Sequence, residues 1–127
     1  MEQIAKETRK KIFEIVCRNK AGHLASSLSS VEILTVLYFG GILNYRSQEP
    51  QWENRDRFVL SKGHSALGYY VTLARAGFFS LEEVDTFCVA GTKYGGLPLK
   101  DKVIGVEATT GSLGHGLSFA AGIAINA

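Results

Sequence analysis

Two short apolar runs, each closed by a glycine-bearing turn that reopens as a helix-periodic segment, constrain this sequence more than any other feature. Phe58-Val59-Leu60 leads into Ser61-Lys62-Gly63-His64 and a helical pattern running to about Ala76, with Gly77 as its stop. Val103–Ala108 leads into the turn Thr109–Gly114 and a last helical pattern, Leu113 to Ala127. Strand, tight turn and helix in that order, twice, predict an α/β fold with a parallel sheet and helices on both faces. The turns use glycine, which makes up 14 of the 127 residues against two prolines. A sheet covered on both faces needs more strands than these two. The last apolar pattern, through Leu117, Phe119 and Ile123, also reaches Ala127 without a cap, so either a larger domain is cut short, the favoured reading, or the missing layers come from another chain.

The remaining segments read as helices and loops. Ile4, Ala5, Ile12, Ile15 and Val16 recur at helical spacing over residues 2–19, and Gly22 ends that helix. Its other face carries Lys6, Arg9, Lys10 and Arg18, a solvated or partner-facing surface. A polar stretch from His23 to Ser30 follows. Ser29 and Glu32 have capping-box spacing and predict a buried helix over the apolar run Val31–Phe39, stopped by Gly40-Gly41. Asn44–Arg57, with Pro50 and Trp52, is an ordered surface loop, and Ser80 with Glu83 is a second capping box opening a short helix. Residues 90–103 form a loop rich in glycine and lysine.

Composition excludes several classes. With 46% hydrophobic residues the chain is not disordered, and a formal net charge of +2 is too balanced for a dedicated nucleic-acid binder. No uninterrupted apolar run approaches the ~20 residues that span a bilayer. Six basic and three acidic residues among the first twenty leave no apolar stretch of the signal-peptide kind. Cys17 and Cys88 form no spacing motif and read as reduced, buried thiols of a cytoplasmic protein.

The chemistry-bearing residues gather at glycines. All three histidines follow one: Gly22-His23, Gly63-His64 and Gly114-His115. Such turns hold imidazoles where backbone can pass close to a ligand, and imidazoles there can donate to anionic groups or shuttle protons. Three unconnected surface turns would produce the same pattern. Zinc is another use for three histidines, but neither an i,i+4 pair nor a CxxC pair is present. Gly111-Ser112-Leu113-Gly114-His115-Gly116 lies where exposed N–H groups and a helix dipole would meet a polar ligand, although it matches no dinucleotide or P-loop motif. Glu107 could hold a positive group or brace that loop. Arg55-Asp56-Arg57 reads as a surface ion-pair cluster; Lys62 beside His64 would favour anions, although a single exposed lysine usually has no specific task.

Taken together and in order, these motifs resemble transketolase. The resemblance is carried by Gly22-His23 with Ser26-Ser27-Leu28-Ser29 and Val31-Glu32-Ile33-Leu34, by Arg55 through His64, and by Gly105 through Gly116. It covers nearly the whole chain and is closest to the N-terminal subunit of transketolases split into two chains. It implies a thiamine-diphosphate-binding fold, with residues 1–127 the N-terminal part of a diphosphate-type domain. It implies ketol transfer, in which thiamine diphosphate and a divalent metal move a two-carbon unit between sugar phosphates. By that resemblance His64 contacts the diphosphate and the reacting substrate. Gly111 offers its backbone to the 4′-amino group of the cofactor's pyrimidine, Leu113 packs on that ring, and Gly114 completes the cofactor loop. His23 faces the substrate and assists proton transfer. His115 stands where the family often has Gln, and a neutral imidazole there can bond substrate much as an amide does.

Two departures qualify the resemblance. Where many relatives carry Gly-His-Pro this chain has Gly96-Leu97-Pro98, and a leucine cannot replace an imidazole's hydrogen bond to substrate. The Gly-Asp-Gly segment and asparagine that hold Mg²⁺ against the diphosphate are expected beyond Ala127, with no metal ligand within this chain. The resemblance further implies a hetero-oligomer in which a C-terminal subunit supplies the pyrimidine-binding module, so the chain alone is expected to be inactive. Alternatives are a related enzyme such as 1-deoxyxylulose-5-phosphate synthase, or a non-catalytic assembly module.

Overall fold

The computed structural model describes residues 1–126. Among them six α-helices succeed one another: α1 (Glu2–Asn19), α2 (Leu24–Leu28), α3 (Val31–Phe39), α4 (Ala66–Arg75), α5 (Leu81–Val84) and α6 (His115–Ile125), with a 3₁₀ turn at Gly63–Ser65 before α4. The centre is α4, whose residues Ala66 to Ala74 are all buried, and α1, α2, α3 and α5 pack against it. α1 turns Ala5, Ile12 and Ile15 inward, as its periodicity predicts; Ile4 and Val16 of the same pattern are half-buried, and Thr8, outside it, is buried. Its basic side faces outward into ion pairs: Arg9 with Glu32, and Lys11 and Arg18 with Asp85 at 2.8 and 3.1 Å. The helix ends at Lys20, which takes a left-handed conformation (φ 50°), two residues before the expected stop at Gly22.

The expected parallel sheet is corrected: no strand occurs among the described residues. A strand exists only through a ladder to a neighbouring backbone, and neither apolar run makes one. The Leu60 carbonyl accepts instead from the Thr110 hydroxyl at 2.7 Å. In the second run Val106 N–H turns back onto Val103 O at 3.2 Å and Gly105 is left-handed (φ 86°), so the segment is a turn. Leu60, Val103 and Val106 are nonetheless buried in the core. The apolar runs report burial, which periodicity alone does not convert into sheet.

Smaller differences have local causes. His23 to Ser30 contains α2, which reads as a polar stretch because two of its five residues are serine. Ser29 and Glu32 form no capping box: the Ser29 hydroxyl donates to Ser26 O at 3.0 Å and Glu32 pairs with Arg9. Ser80 and Glu83 do form one, each side chain bonding the other's backbone N–H. The 44–57 loop is ordered by successive turns at residues 46–49, 49–52 and 52–55, and by Arg46 stacked 4.0 Å over Trp52. Cys17 and Cys88 are free but exposed, contrary to the expected burial. α6 starts at His115, and of its residues only Gly116 is buried.

Candidate functional site

Three backbone turns converge. At the first, Gly22 is left-handed (φ +95°) and passes so close to Phe87 that a Cβ would lie 2.6 Å from that ring. The turn delivers His23 to the N-cap of α2. At the second, Gly63 enters the 3₁₀ turn with its backbone against the third: a Cβ would stand 2.9 Å from Thr110 O and 3.0 Å from the Gly111 backbone. Only glycine allows two chains to approach this closely. His64 follows directly. Its ring and that of His23 lie 5.0 Å apart, centroid to centroid, edge to face at 69°.

The third turn, residues 109–116, is fixed from below and open above. Thr110 holds Leu60 O and donates its N–H to Pro98 O at 3.3 Å. Gly116 N–H donates to the Ser61 hydroxyl at 3.2 Å, and Gly116 sits where any Cβ would collide with Ser61. Leu97 covers Gly111, with its Cδ1 2.8 Å from where a Cβ would be, and the Leu97 carbonyl accepts from Tyr70 Oη at 2.9 Å. Between these anchors the N–H groups of Gly111, Ser112, Leu113 and Gly114 find no acceptor among the described residues. Leu113 is 68% exposed, and a Cβ added at Gly114 would meet nothing within 4 Å. Unpaired donors in the turn that leads into an eleven-residue helix form an electropositive rim suited to an anionic or polar ligand.

The structure thus brings the rings of His23 and His64 together and sets Gly111 against Gly63, the residue before His64. His115, exposed as the first residue of α6, makes no ring contact with the other two histidines among the described residues. Sequence reasoning misses two connections. Arg55 and Glu107 form a bidentate pair, Nε to Oε1 at 2.6 Å and Nη2 to Oε2 at 3.0 Å, with side chains only 11% and 14% exposed. The hydrogen-bonded carboxylate holds the guanidinium above its usual range, against the opposing effect of burial. Arg55 Nη1 also holds Trp52 O at 2.9 Å, so the pair ties the 44–57 loop to the base of the third turn. Lys62 reaches Ser29 Oγ at 2.8 Å and Ser26 O at 3.3 Å. Partners 52 and 33 positions away leave no local signal in a sequence.

Two further features frame the site. Tyr38 and Tyr69 are buried, their hydroxyls pushed well above the usual range by desolvation, and Tyr69 Oη donates to Gly105 O at 2.9 Å. They act as neutral supports for the turn before the rim. No group of three or more His, Cys, Asp or Glu side chains suited to hold a metal ion occurs among the described residues. No helix among them is long and apolar enough to cross a membrane.

The family model described as the thiamine diphosphate binding domain of transketolase matches residues 1–127. One of the subunits of the apulose-4-phosphate transketolase of Phocaeicola vulgatus is 43% identical over 127 residues, covering 100% of this chain and 44% of that protein. A 6-deoxy-6-sulfo-D-fructose transketolase subunit from a Clostridium species is 38% identical over 125 residues, 98% of this chain and 45% of the other. The transketolase of Leishmania mexicana superposes with a TM-score of 0.91 at 35% identity, over 98% of this chain and 18% of that one. The chain therefore spans less than half the length of these relatives.

Proposed function

This chain belongs to the transketolase family through its thiamine-diphosphate-binding domain, and from that premise we propose that residues 1–127 are the N-terminal part of the diphosphate-type domain of a ketol transferase. The observation that carries the proposal is the His23–His64 pair, at 5.0 Å, next to Gly63, whose backbone abuts Gly111 at the start of four consecutive N–H groups without an acceptor among the described residues, Gly111–Gly114. That rim and those rings fit a cofactor with an anionic tail and a polar ring. When bound, thiamine diphosphate supplies the nucleophilic carbon and the electron sink for breaking a carbon–carbon bond next to a ketone.

The residues of this chain then divide the work. His64 donates to the diphosphate and meets the reacting end of the substrate. Gly111 offers its backbone to the 4′-amino group, Leu113 packs its exposed side chain on the pyrimidine, and Gly114 leaves the loop room to approach. His23, across from His64, moves a proton to or from a substrate hydroxyl. His115 bonds the substrate farther out.

The substrate class is a ketose carrying an anionic group. The relatives' names, a sugar phosphate in one and a sulfo sugar in the other, support this reading. Mg²⁺ is part of the proposal, with ligands from outside residues 1–127. So is a partner protein that supplies the pyrimidine-binding module, which the naming of relatives as subunits supports.

The test is a ketol-transfer assay with a phosphorylated donor ketose and an aldose acceptor, run on residues 1–127 alone and on the intact protein with its partner. Activity only in the second case is expected. Turnover by residues 1–127 alone contradicts the shared site, and turnover of pyruvate in place of the ketose redirects the reading to a 1-deoxyxylulose-5-phosphate synthase type of reaction.

A further inference from the structure

His23 stands on a helix that cannot hold itself in place. α2 has five residues, far below the ~12–15 that make an isolated helix even marginal in water, so its position is set by what it touches. Its leucines, Leu24 and Leu28, are only partly buried against the core. Its polar attachments come from the turn that carries His64. Ser65 Oγ donates to Ser26 O at 2.6 Å, Lys62 Nζ donates to the same carbonyl at 3.3 Å, and Lys62 also reaches Ser29 Oγ at 2.8 Å. Ser29 Oγ itself donates to Ser26 O at 3.0 Å, so three donors meet on one carbonyl near the C-terminal end of α2. An ammonium there also complements the negative end of the helix. Beneath them Gly68 lets α4 approach so closely that a Cβ would lie 2.8 Å from Ser27 O.

We infer that Lys62 and Ser65 are positioning residues that staple α2 to the 3₁₀ turn and thereby set the distance between the His23 and His64 rings. The two residues flank His64 in sequence and hold the helix whose N-cap is His23. Moving α2 along this contact moves one ring against the other without altering the contact between Gly63 and Gly111. Lys62 acts through His23, at the far end of the staple. The inference rests on the functional reading only for its consequence in catalysis; the ring geometry stands by itself.

The experiment uses the intact protein with its partner, isotopically labelled on the histidine rings, in wild-type, Lys62→Met, Lys62→Arg and Ser65→Ala forms. In the wild type a nuclear Overhauser contact joins the His23 and His64 rings. It is lost in Lys62→Met and Ser65→Ala and kept in Lys62→Arg, whose guanidinium can still reach both acceptors. Misplacement of this size lowers kcat about tenfold or more in Lys62→Met, with little change in the KM for thiamine diphosphate. Adding His23→Asn to Lys62→Met then costs less than about twofold more, because the two act through one ring.

The inference is overturned if the ring contact persists at full strength in Lys62→Met, if it is absent from the wild type, or if the His23→Asn and Lys62→Met effects multiply. Lys62 is exposed, so Lys62→Met decides the matter should Ser65→Ala fold poorly. A wild type without ketol transfer sinks the functional reading, while the ring contact still decides this one.

Discussion

Glycine positions in this chain differ in what a methyl group would meet. At Gly116 a Cβ would stand 2.4 Å from Ser61 Cβ and 2.5 Å from Ser61 Cα, so Gly116→Ala pushes α6 off the turn beneath it. We expect a loss of about 1–3 kcal/mol in chemical denaturation, the usual range for overpacking. Gly122, exposed in the same helix with nothing within 4 Å, is the control: Gly122→Ala gains about 0.5–1 kcal/mol because a helical glycine loses more backbone entropy than alanine. Sequence reading finds the glycine turns and the three histidines they present, because Gly and His are visible where they stand. It does not find that His23 meets His64, 41 positions later, or that His115 stands apart. Those facts depend on where tertiary contacts place α2, the 3₁₀ turn and α6, which no local pattern encodes.

Capping boxes show the limit at the scale of an element. Ser80–Glu83 and Ser29–Glu32 have identical spacing, yet only the first forms, because Ser29 is engaged by Ser26 and Lys62 and Glu32 by Arg9. For the box that forms, hydrogen bonds from Lys93, then Tyr94 and the Ser80 backbone, hold the Glu83 carboxyl below its ordinary value of 4.5. A depressed carboxyl contributes stability that is present above the unfolded value and lost as pH falls through the folded one. Glu83→Gln should therefore melt below wild type near neutral pH, and the gap should close on acidification through and below 4.5. A gap that stays constant with pH would contradict the assignment. Arg55–Glu107 is the larger effect, since its members are nearly buried and bidentate. Glu107→Gln leaves the guanidinium short of its partner and should cost about 3 kcal/mol in urea unfolding, with the 44–57 loop more open to proteolysis. No spacing rule links residues 52 positions apart, which is why Arg55 reads from the sequence as a member of a surface cluster.

The whole molecule is uneven in burial: α4 is enclosed, whereas α6 carries Leu117 78% and Ile125 83% exposed. Leu67→Ala should cost residues 1–127 about 2–5 kcal/mol, while Leu117→Ser should leave their stability within about 0.5 kcal/mol. Equal losses would show that α6 is packed in solution. The expected parallel sheet fails at this scale, because Phe58–Leu60 and Val103–Ala108 are apolar for the sake of the core and find no ladder among the described residues. The ordered motifs succeed at the same scale as a family signature: the family match spans residues 1–127, and in the structure the turn at Gly22-His23 meets that at Gly63-His64, which in turn abuts Gly111.

That convergence is tested most directly by titrating thiamine diphosphate with Mg²⁺ into the intact protein and its partner, wild type against His64→Ala, by calorimetry. Loss of one charge-assisted hydrogen bond to the diphosphate, worth about 1.5–3 kcal/mol, predicts an affinity lowered roughly ten- to hundredfold. Equal affinity in the two proteins would contradict the proposed placement of the cofactor between His64 and the Gly111–Gly114 rim.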